Sequence, residues 1–354
     1  MTFVYILFAL LIFGVLIGIH EFGHFITAKA CGVKVEEFSI GMGPAIWKKQ
    51  KGETLYALRC IPLGGYCAMT GEDTASDDPR AFTNQKPWKR IIILCAGAFM
   101  NFLLGLLIIF FLYLPAKGFY VPVLSGFMEG CPYEAADGLQ AGDRFYKIDG
   151  HRIYQTGDVS TFLSRGGDTY DLELIRNGQK EKQEDYPMVT LEYEGQDRKM
   201  FGFYLGNGVV EADFGTKLQF TWDKGMEFSR LVWMGLSDLV HGRVGMKDLS
   251  GPVGIVDVMA ETGNQSESLR DGLERILFLG ALIAINLAIM NMLPIPALDG
   301  GRVFLLLITW LIEGVTRKKL DPKYEGYIHA GGMILLLALM AYVMFNDIFR
   351  LVTR

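Results

Sequence analysis

The sequence has few cysteines, and their spacing offers no ready metal site. Five cysteines occur among 354 residues, and no two of them form a CxxC pair. All but Cys131 lie in segments that the patterns described below place in the membrane or on its cytoplasmic side, where disulfides are not expected. A cysteine-based zinc site is therefore not expected.

The chain also lacks an excess of positive charge and a basic N-terminal segment. Its formal net charge is -5, which argues against nucleic acid as a partner. No Lys or Arg precedes the apolar run 3–19, and no small-residue cleavage site follows it. Because a signal peptide needs both features, we expect this run to be retained as a membrane helix.

Apolar residues make up half of the chain and are concentrated in four runs. A membrane-spanning helix needs about 20 mostly apolar residues, and each run is near that length. The shorter run 303–312 cannot span alone, so we expect a helix packed beside the third span. The sequence therefore predicts a polytopic α-helical membrane protein with four transmembrane helices, at 3–19, 91–114, 273–293 and 328–345.

Basic residues indicate the orientation of these spans. Ten Lys and Arg residues fall within 29–90. The segment between the third and fourth spans adds Arg302, Arg317, Lys318, Lys319 and Lys323. By the positive-inside rule both segments face the cytoplasm, and the acid-rich segment 116–271 then lies outside.

Two segments between the spans have the pattern of β structure. Residues 33–68 contain short β-prone runs between Gly and Pro residues, which predict hairpins. Residues 118–206 alternate similar runs with turns. Within the stretch 131–150 we expect a short helix at 133–137, a strand at 144–148 and a tight turn at Asp149 and Gly150.

The motif HExxH lies near the end of the first span. On a helix, His20 and His24 are one turn apart on the same face, so both imidazoles can point at one Zn²⁺. Glu21 lies beside them and can act as a general base toward water. The alternative is a chance motif on an ordinary helix surface. Ionisable groups at membrane depth are costly and are usually functional, which favours the metal site.

A third metal ligand is needed, and Asp299 is the best candidate. It lies in the stretch NMLPIPALDGG at 291–301, at the same predicted depth as HExxH. Pro294 and Pro296 break the helix there, and irregular backbone at this depth requires contact with protein or a water-filled cavity. The alternative is that Asp299 caps a helix in a cytoplasmic turn. His151 and His241 lie outside the spans, and His329 at the start of the fourth span could extend to the membrane interface.

Three asparagines interrupt otherwise apolar spans. Asn286 and Asn291 could bind a substrate's backbone or stabilise an oxyanion. They could equally form hydrogen bonds between helices. For Asn101, in the second run, we favour the interhelical role.

These motifs together resemble the site-2 protease family of intramembrane zinc proteases, in particular the bacterial branch of regulator of sigma-E proteases. The resemblance runs through almost the whole chain in family order. It rests on HExxH and on the stretches GMGP, IPLGGY, RAFTNQKPWKRIIILCAGAFMNF, GPVGI, NMLPIPALDGG and FNDIFRL. Two features depart from the branch: one predicted PDZ domain in place of two, and Ala98 where proline is expected.

The resemblance implies a zinc protease with defined site residues. His20, His24 and Asp299 would bind Zn²⁺, and Glu21 would be the catalytic base. Asn291, Pro294 and Pro296 would face the substrate, and Asn286 is a further substrate-binding candidate. The hairpins at 33–68 would form a membrane-associated β element that offers an edge strand to an extended substrate.

The resemblance also implies partners and a location. Substrates would be single-span proteins in the lipid bilayer, already cut outside by another protease, such as an anti-sigma factor or a remnant signal peptide. A PDZ-like α+β domain at 118–206 would lie outside the bacterial inner membrane, with the active site near the cytoplasmic side. It would bind an exposed C-terminus or act as a size filter.

Two classes of function other than a protease stay open. A catalytically inactive membrane scaffold with a PDZ domain is one, and a zinc transporter is the other.

The segments described above give the expected domain organisation of the chain. Its parts are the first span with HExxH at 1–32, the β element and loop at 33–90, the second span at 91–115, the PDZ-like domain at 118–206, an amphipathic region at 207–271, the third span with the LDG motif and a following helix at 272–316, and the fourth span at 326–347.

Overall fold

The computed structural model contains eight α-helices and eight β-strands among the residues it describes, which are 1–72, 76–196, 198–245, 249–316 and 323–353. Arg317, Lys318 and Lys319, three of the basic residues between the third and fourth predicted spans, lie outside these ranges. In chain order the elements are α1 (Thr2–Ala30), β1 (Val35–Lys51), β2 (Thr54–Met69), α2 (Pro87–Tyr113), β3 (Gly118–Phe127), β4 (Arg144–Ile148), β5 (His151–Arg152), α3 (Thr156–Leu163), β6 (Thr169–Arg176), β7 (Gln179–Pro187), β8 (Phe203–Glu211), α4 (Phe214–Val240), α5 (Pro252–Asn264), α6 (Leu269–Asn291), α7 (Asp299–Thr316) and α8 (Lys323–Thr353).

Four of the described helices are long and apolar enough to cross a membrane. They are Thr2–Ala30, Pro87–Tyr113, Leu269–Asn291 and Gly326–Thr353. Each contains one of the predicted apolar runs almost entirely, so the four-span prediction is confirmed. Helix α7 contains the shorter run 303–312 and is not among the four.

The chain divides into two compact units. One comprises Met1–Leu112 and Phe228–Arg354, and the other comprises Tyr113–Glu227. In the first unit, α1 supplies a buried stripe at helical spacing that packs against α5 and α6. The stripe consists of Tyr5, Ala9, Ile12 and Leu16.

Strands β1 and β2 form a sheet that is folded on itself. The early part of β1 pairs with both ends of β2: Ile40 pairs with Gly65 and also with Leu58. The last residues of β1 pair with the first half of β2 from its other side: Trp47, like Ile40, pairs with Leu58. The order of segments across the sheet is therefore 45–51, 54–59, 35–40 and 65–69. Segment 65–69 is an edge, with no second strand paired to it in the described chain.

Aromatic contacts hold this sheet against α1 just past the HExxH motif. The ring centroid of Phe25 lies 5.0 Å from that of Phe38 and 5.8 Å from that of Tyr56. The sheet is thereby fixed beside the part of α1 that carries the candidate ligands.

The N-terminus of α5 is capped from α8. The buried carboxylate of Asp347 accepts hydrogen bonds from the backbone N–H of Gly251, at 3.0 Å, and of Gly254, at 2.8 Å. An anionic acceptor satisfies N–H groups that a helix start leaves unpaired. The GPVGI and FND motifs, far apart in the sequence, meet at this cap.

The second unit is a β domain built on one antiparallel sheet with strand order β7-β6-β4-β3-β8, and β5 pairs with β4. The predicted strand is β4, and Asp149 and Gly150 both have positive φ, as a tight hairpin turn requires. The predicted helix at 133–137 is wrong. Those residues form a turn, an isolated bridge from Glu134 to Leu139 and a bend. The hydroxyl of Tyr133 donates to the carbonyl of Val189 and accepts from its N–H, which holds the segment against another loop.

Candidate metal centre

His20 and His24 project from one face of α1, as their spacing predicts. Their rings make an edge-to-face contact with centroids 4.8 Å apart, and their Nε2 atoms are 3.2 Å apart. Helix α2 packs closely here: a Cβ on Gly23 would lie 2.5 Å from the carbonyl oxygen of Ala96. The two imidazoles are thereby enclosed between α1 and α2.

Asp299 reaches the two imidazoles through a compact turn between α6 and α7. It is the first residue of α7, and the preceding turn contains Pro294 and Pro296. A Cβ on Gly300 would lie 2.6 Å from the carbonyl oxygen of Leu293, so only glycine permits the turn to close this tightly against the start of α7. The turn thus fixes the carboxylate at the site.

The three side chains form a nearly equilateral triangle of donor atoms. Oδ2 of Asp299 lies 3.2 Å from Nε2 of His20 and 3.4 Å from Nε2 of His24. Zinc–ligand distances of about 2.0–2.1 Å in tetrahedral geometry separate two ligand atoms by about 3.3 Å. The spacing of these atoms therefore fits a single zinc ion with three protein ligands.

The polar groups at this triangle are arranged for a cation. Oδ2 of Asp299 is buried without a hydrogen-bond partner in the described part of the chain. Nδ1 of His24 lies 2.8 Å from the carbonyl oxygen of Ile93, which can only accept, so Nδ1 carries the proton. Neutral His24 then presents an Nε2 lone pair to the triangle, as a metal ligand must. Among the described residues, His20, His24 and Asp299 are the one group of three that could hold a metal ion.

The side chain of Glu21 extends from α1 toward segment 65–69, which forms an edge of the folded sheet. A Cβ on Gly65 would lie 3.1 Å from Cγ of Glu21, and the backbone N–H of Cys67 approaches the carboxylate. Both residues belong to segment 65–69. Glu21, the candidate base, therefore lies directly beside the edge of the sheet that segment 65–69 forms.

The predicted substrate-binding asparagines lie on different sides of α6. Gly280 marks the face toward α1, because a Cβ there would lie 3.1 Å from Ile12. Asn291 follows Gly280 by about three turns and shares its face, whereas Asn286 is rotated from it by about 120°. Both are partly buried, and neither amide has a hydrogen-bond partner within the described ranges. Pro294 is exposed and Pro296 partly buried in the turn that follows.

Sequence reasoning missed the role of α8 at this turn. The sequence suggests only that His329 could extend to the membrane interface; in the structure its Nδ1 accepts a hydrogen bond from the backbone N–H of Ala297 at 3.3 Å. Ala297 has φ +80°, a conformation that is rare for a residue with a side chain. No local sequence signal identifies this contact, since His329 and Ala297 belong to different elements.

A model of Peptidase family M50 matches residues 8–339, which is nearly the whole chain. Proteins named as zinc metalloproteases are similar along their full length. One from Clostridium acetobutylicum is 35% identical over 356 residues, covering 98% of each chain. One from Clostridium perfringens is 36% identical over 349 residues, covering 97% of this chain and 98% of the relative.

A third relative extends the similarity beyond the clostridia. The zinc metalloprotease RasP of Shouchella clausii is 29% identical, with 96% of this chain and 97% of the relative covered. The family model, these relatives and a zinc-sized triangle of ligands agree on one assignment. The chain belongs to peptidase family M50, the site-2 protease family, and is a multi-pass membrane zinc metalloprotease.

Proposed function

We propose that the chain hydrolyses peptide bonds within or near the transmembrane segment of single-span membrane proteins. The observation that supports this most is the position of the ligand triangle. Two of its three corners project from α1, the most apolar of the four candidate spans. A metal site on such a helix lies at a depth where the peptide bonds of a membrane-spanning substrate can reach it.

His20, His24 and Asp299 would hold the zinc ion. When bound there, zinc supplies a Lewis acid that polarises the scissile carbonyl and activates water. Glu21 removes a proton from the attacking water and delivers it to the leaving amine. Glu21 lies beside both the ligand triangle and the edge of the sheet. Its carboxylate can therefore accept the proton from water and later donate it to the leaving amine.

The folded sheet would hold the substrate extended over the site. A helical substrate shields its peptide bonds with its own hydrogen bonds, so it must unwind before cleavage. Segment 65–69 has a free edge and lies beside Glu21. An unwound substrate strand added to this edge would receive main-chain hydrogen bonds at the place where the base acts.

Asn291 would contact the substrate from α6. It lies at the last turn of α6, on the face toward α1, next to the turn with Pro294 and Pro296. An amide without a partner can bind a substrate carbonyl or the developing oxyanion. Asn286 stays a weaker candidate for the same role, since it is rotated away from that face.

The β domain is proposed to lie outside the cytoplasm and to select substrates trimmed by another protease. Ten basic residues on 29–90 favour a cytoplasmic location for that segment, and one pass of the membrane, through α2, then separates it from the acid-rich β domain. A size filter predicts that a bulky folded domain fused outside the substrate stops cleavage. Recognition of an exposed C-terminus predicts instead that changing the last residues stops it.

The test of the function is reconstitution in proteoliposomes with a panel of single-span substrates. Wild type is compared with Glu21→Gln, and cleavage sites are mapped by mass spectrometry. We expect wild type to cut within or near the transmembrane segment and Glu21→Gln to cut nothing while retaining zinc. Equal cleavage by Glu21→Gln, or cuts confined to soluble tails, would contradict the proposal.

A further inference from the structure

One face of α2 contacts both candidate zinc-binding imidazoles. Ile93, Gly97 and Asn101 recur every four residues on this face. The carbonyl of Ile93 accepts from Nδ1 of His24. A Cβ on Gly97 would lie 2.7 Å from Cε1 of His20 and would also collide with Nε2 of His24. Asn101 therefore occupies the next position on a surface that already fits the imidazoles closely.

Asn101 is buried beside the ring of His20. Its side chain is 1% exposed, and its amide nitrogen lies 3.5 Å from Nδ1 of His20. Its amide oxygen is also buried and has no hydrogen-bond partner among the described residues. A buried carbonyl oxygen without a donor is costly, which indicates that a donor belongs beside it.

The two amide positions of an asparagine are interchangeable by a half-turn of the side chain, and the hydrogen-bond network decides between them. With the nitrogen toward His20, Nδ1 must accept, and the proton then sits on Nε2, where it blocks the metal triangle. With Oδ1 toward His20, Nδ1–H donates to it and Nε2 is free to bind the metal. Only the second arrangement satisfies both the orphaned oxygen and the ligand role of His20.

We propose that Asn101 is a positioning residue that accepts a hydrogen bond from Nδ1 of His20 and fixes the tautomer and orientation of that zinc ligand. It would do for His20 what the carbonyl of Ile93 does for His24. A metal-binding histidine generally donates its second ring nitrogen to such an acceptor. The inference rests on the proposed zinc site, but it concerns the affinity of that site and not the cleavage reaction.

The test compares Asn101→Leu with Asn101→Asp in the purified full-length protein. Zinc affinity is measured by competition with a chromophoric chelator, and folding is monitored by thermal unfolding. Leucine has a similar size and no acceptor, so we expect it to weaken zinc binding about 10–100-fold, the usual effect of losing such a partner. Aspartate can only accept, so it should retain zinc affinity within a few-fold of wild type.

A matched control is Phe111→Leu, which introduces leucine at an exposed position of the same helix, α2, away from the imidazoles, and should leave zinc affinity unchanged. The visible spectrum of the cobalt-substituted protein gives a second readout, which should change in Asn101→Leu and stay close to wild type in Asn101→Asp. Wild-type zinc affinity in Asn101→Leu would overturn the inference. An equal loss in both Asn101 variants would also overturn it, because the amide would then be donating. A wild type that binds no zinc would overturn the metal site itself, and the inference with it.

Discussion

Nε2 of His20 and Oδ2 of Asp299 lie 3.2 Å apart, although they belong to α1 and α7 at opposite ends of the sequence. The carboxylate is the first residue of its helix, so its position depends on the turn between α6 and α7. That turn is held by α8 through Ala297 and by close packing of Gly300 against Leu293. Changes in elements that never touch the metal should therefore alter the site.

His329 should influence metal binding through Ala297. The N–H of Ala297 donates to Nδ1 of His329, and Pro296 packs against Gly332 of α8. Loss of the acceptor leaves a backbone N–H unsatisfied at a strained residue, a cost of about 1–3 kcal/mol. We expect His329→Leu to lower zinc affinity about tenfold, measured by chelator competition.

The matched variant for this prediction is His329→Asn, because Oδ1 of asparagine can take the place of Nδ1. It should retain most of the affinity. If His329→Leu binds zinc as wild type does, or if His329→Asn is equally impaired, the contact does not position Asp299.

Asp347 should stabilise the first unit by capping α5. Its carboxylate accepts two backbone hydrogen bonds, from Gly251 and Gly254, and is 2% exposed. Asp347→Leu leaves both N–H groups unpaired, so we expect a loss of about 2 kcal/mol or more and a lower melting temperature of the full-length protein in detergent. Asp347→Asn keeps an acceptor and should lose less, chiefly the interaction of the charge with the helix start. If wild type, Asp347→Leu and Asp347→Asn had the same melting temperature, the prediction that Asp347 stabilises the first unit by capping α5 would be wrong.

In the β domain, Arg176 should be essential to stability because it neutralises a buried acid. It donates to both carboxylate oxygens of Asp143, each at 2.7 Å, and Asp143 is 1% exposed. Removing one partner of such a pair costs about 3–5 kcal/mol. Arg176→Leu should make the β domain sensitive to limited proteolysis in the full-length protein.

The control for Arg176 is an exposed ion pair of the same sheet. Lys182 lies 3.8 Å from Glu173 and is largely exposed, so Lys182→Leu should cost under about 1 kcal/mol. Equal protease resistance of Arg176→Leu and Lys182→Leu would show that the buried pair is not needed.

The orientation of the chain can be tested with two exposed positions. We expect a membrane-impermeant maleimide to label Gln179→Cys in the β domain of intact cells, in a background without the native cysteines. Lys49→Cys in the folded sheet should be labelled only after the membrane is permeabilised. Labelling of Lys49→Cys in intact cells would reverse the proposed orientation.

The sequence alone predicts the helical framework and the members of the metal triangle. Long apolar runs have few alternatives to spanning helices, and an acid beside two prolines at the depth of HExxH indicates Asp299. These signals are local, or depend only on depth along a span. They do not require knowledge of which helix faces are in contact.

The surroundings of the triangle could not be predicted in the same way. The carbonyl of Ile93 acts through the backbone, and Gly97 is one of 42 glycines, so neither has a signature of its own. The contact of His329 with Ala297 and the folding of β1 between the two ends of β2 depend on packing between elements. The wrong helix at 133–137 has the same cause, because hydrogen bonds between Tyr133 and Val189 override a local helical preference.

The central claim is that one zinc ion is shared by His20, His24 and Asp299. It is tested most directly by the zinc content of the purified full-length protein, determined by elemental mass spectrometry for wild type, Glu21→Gln and Asp299→Ala. We predict one zinc per chain in wild type and in Glu21→Gln, and none in a folded Asp299→Ala. One zinc per chain retained by Asp299→Ala would contradict the claim.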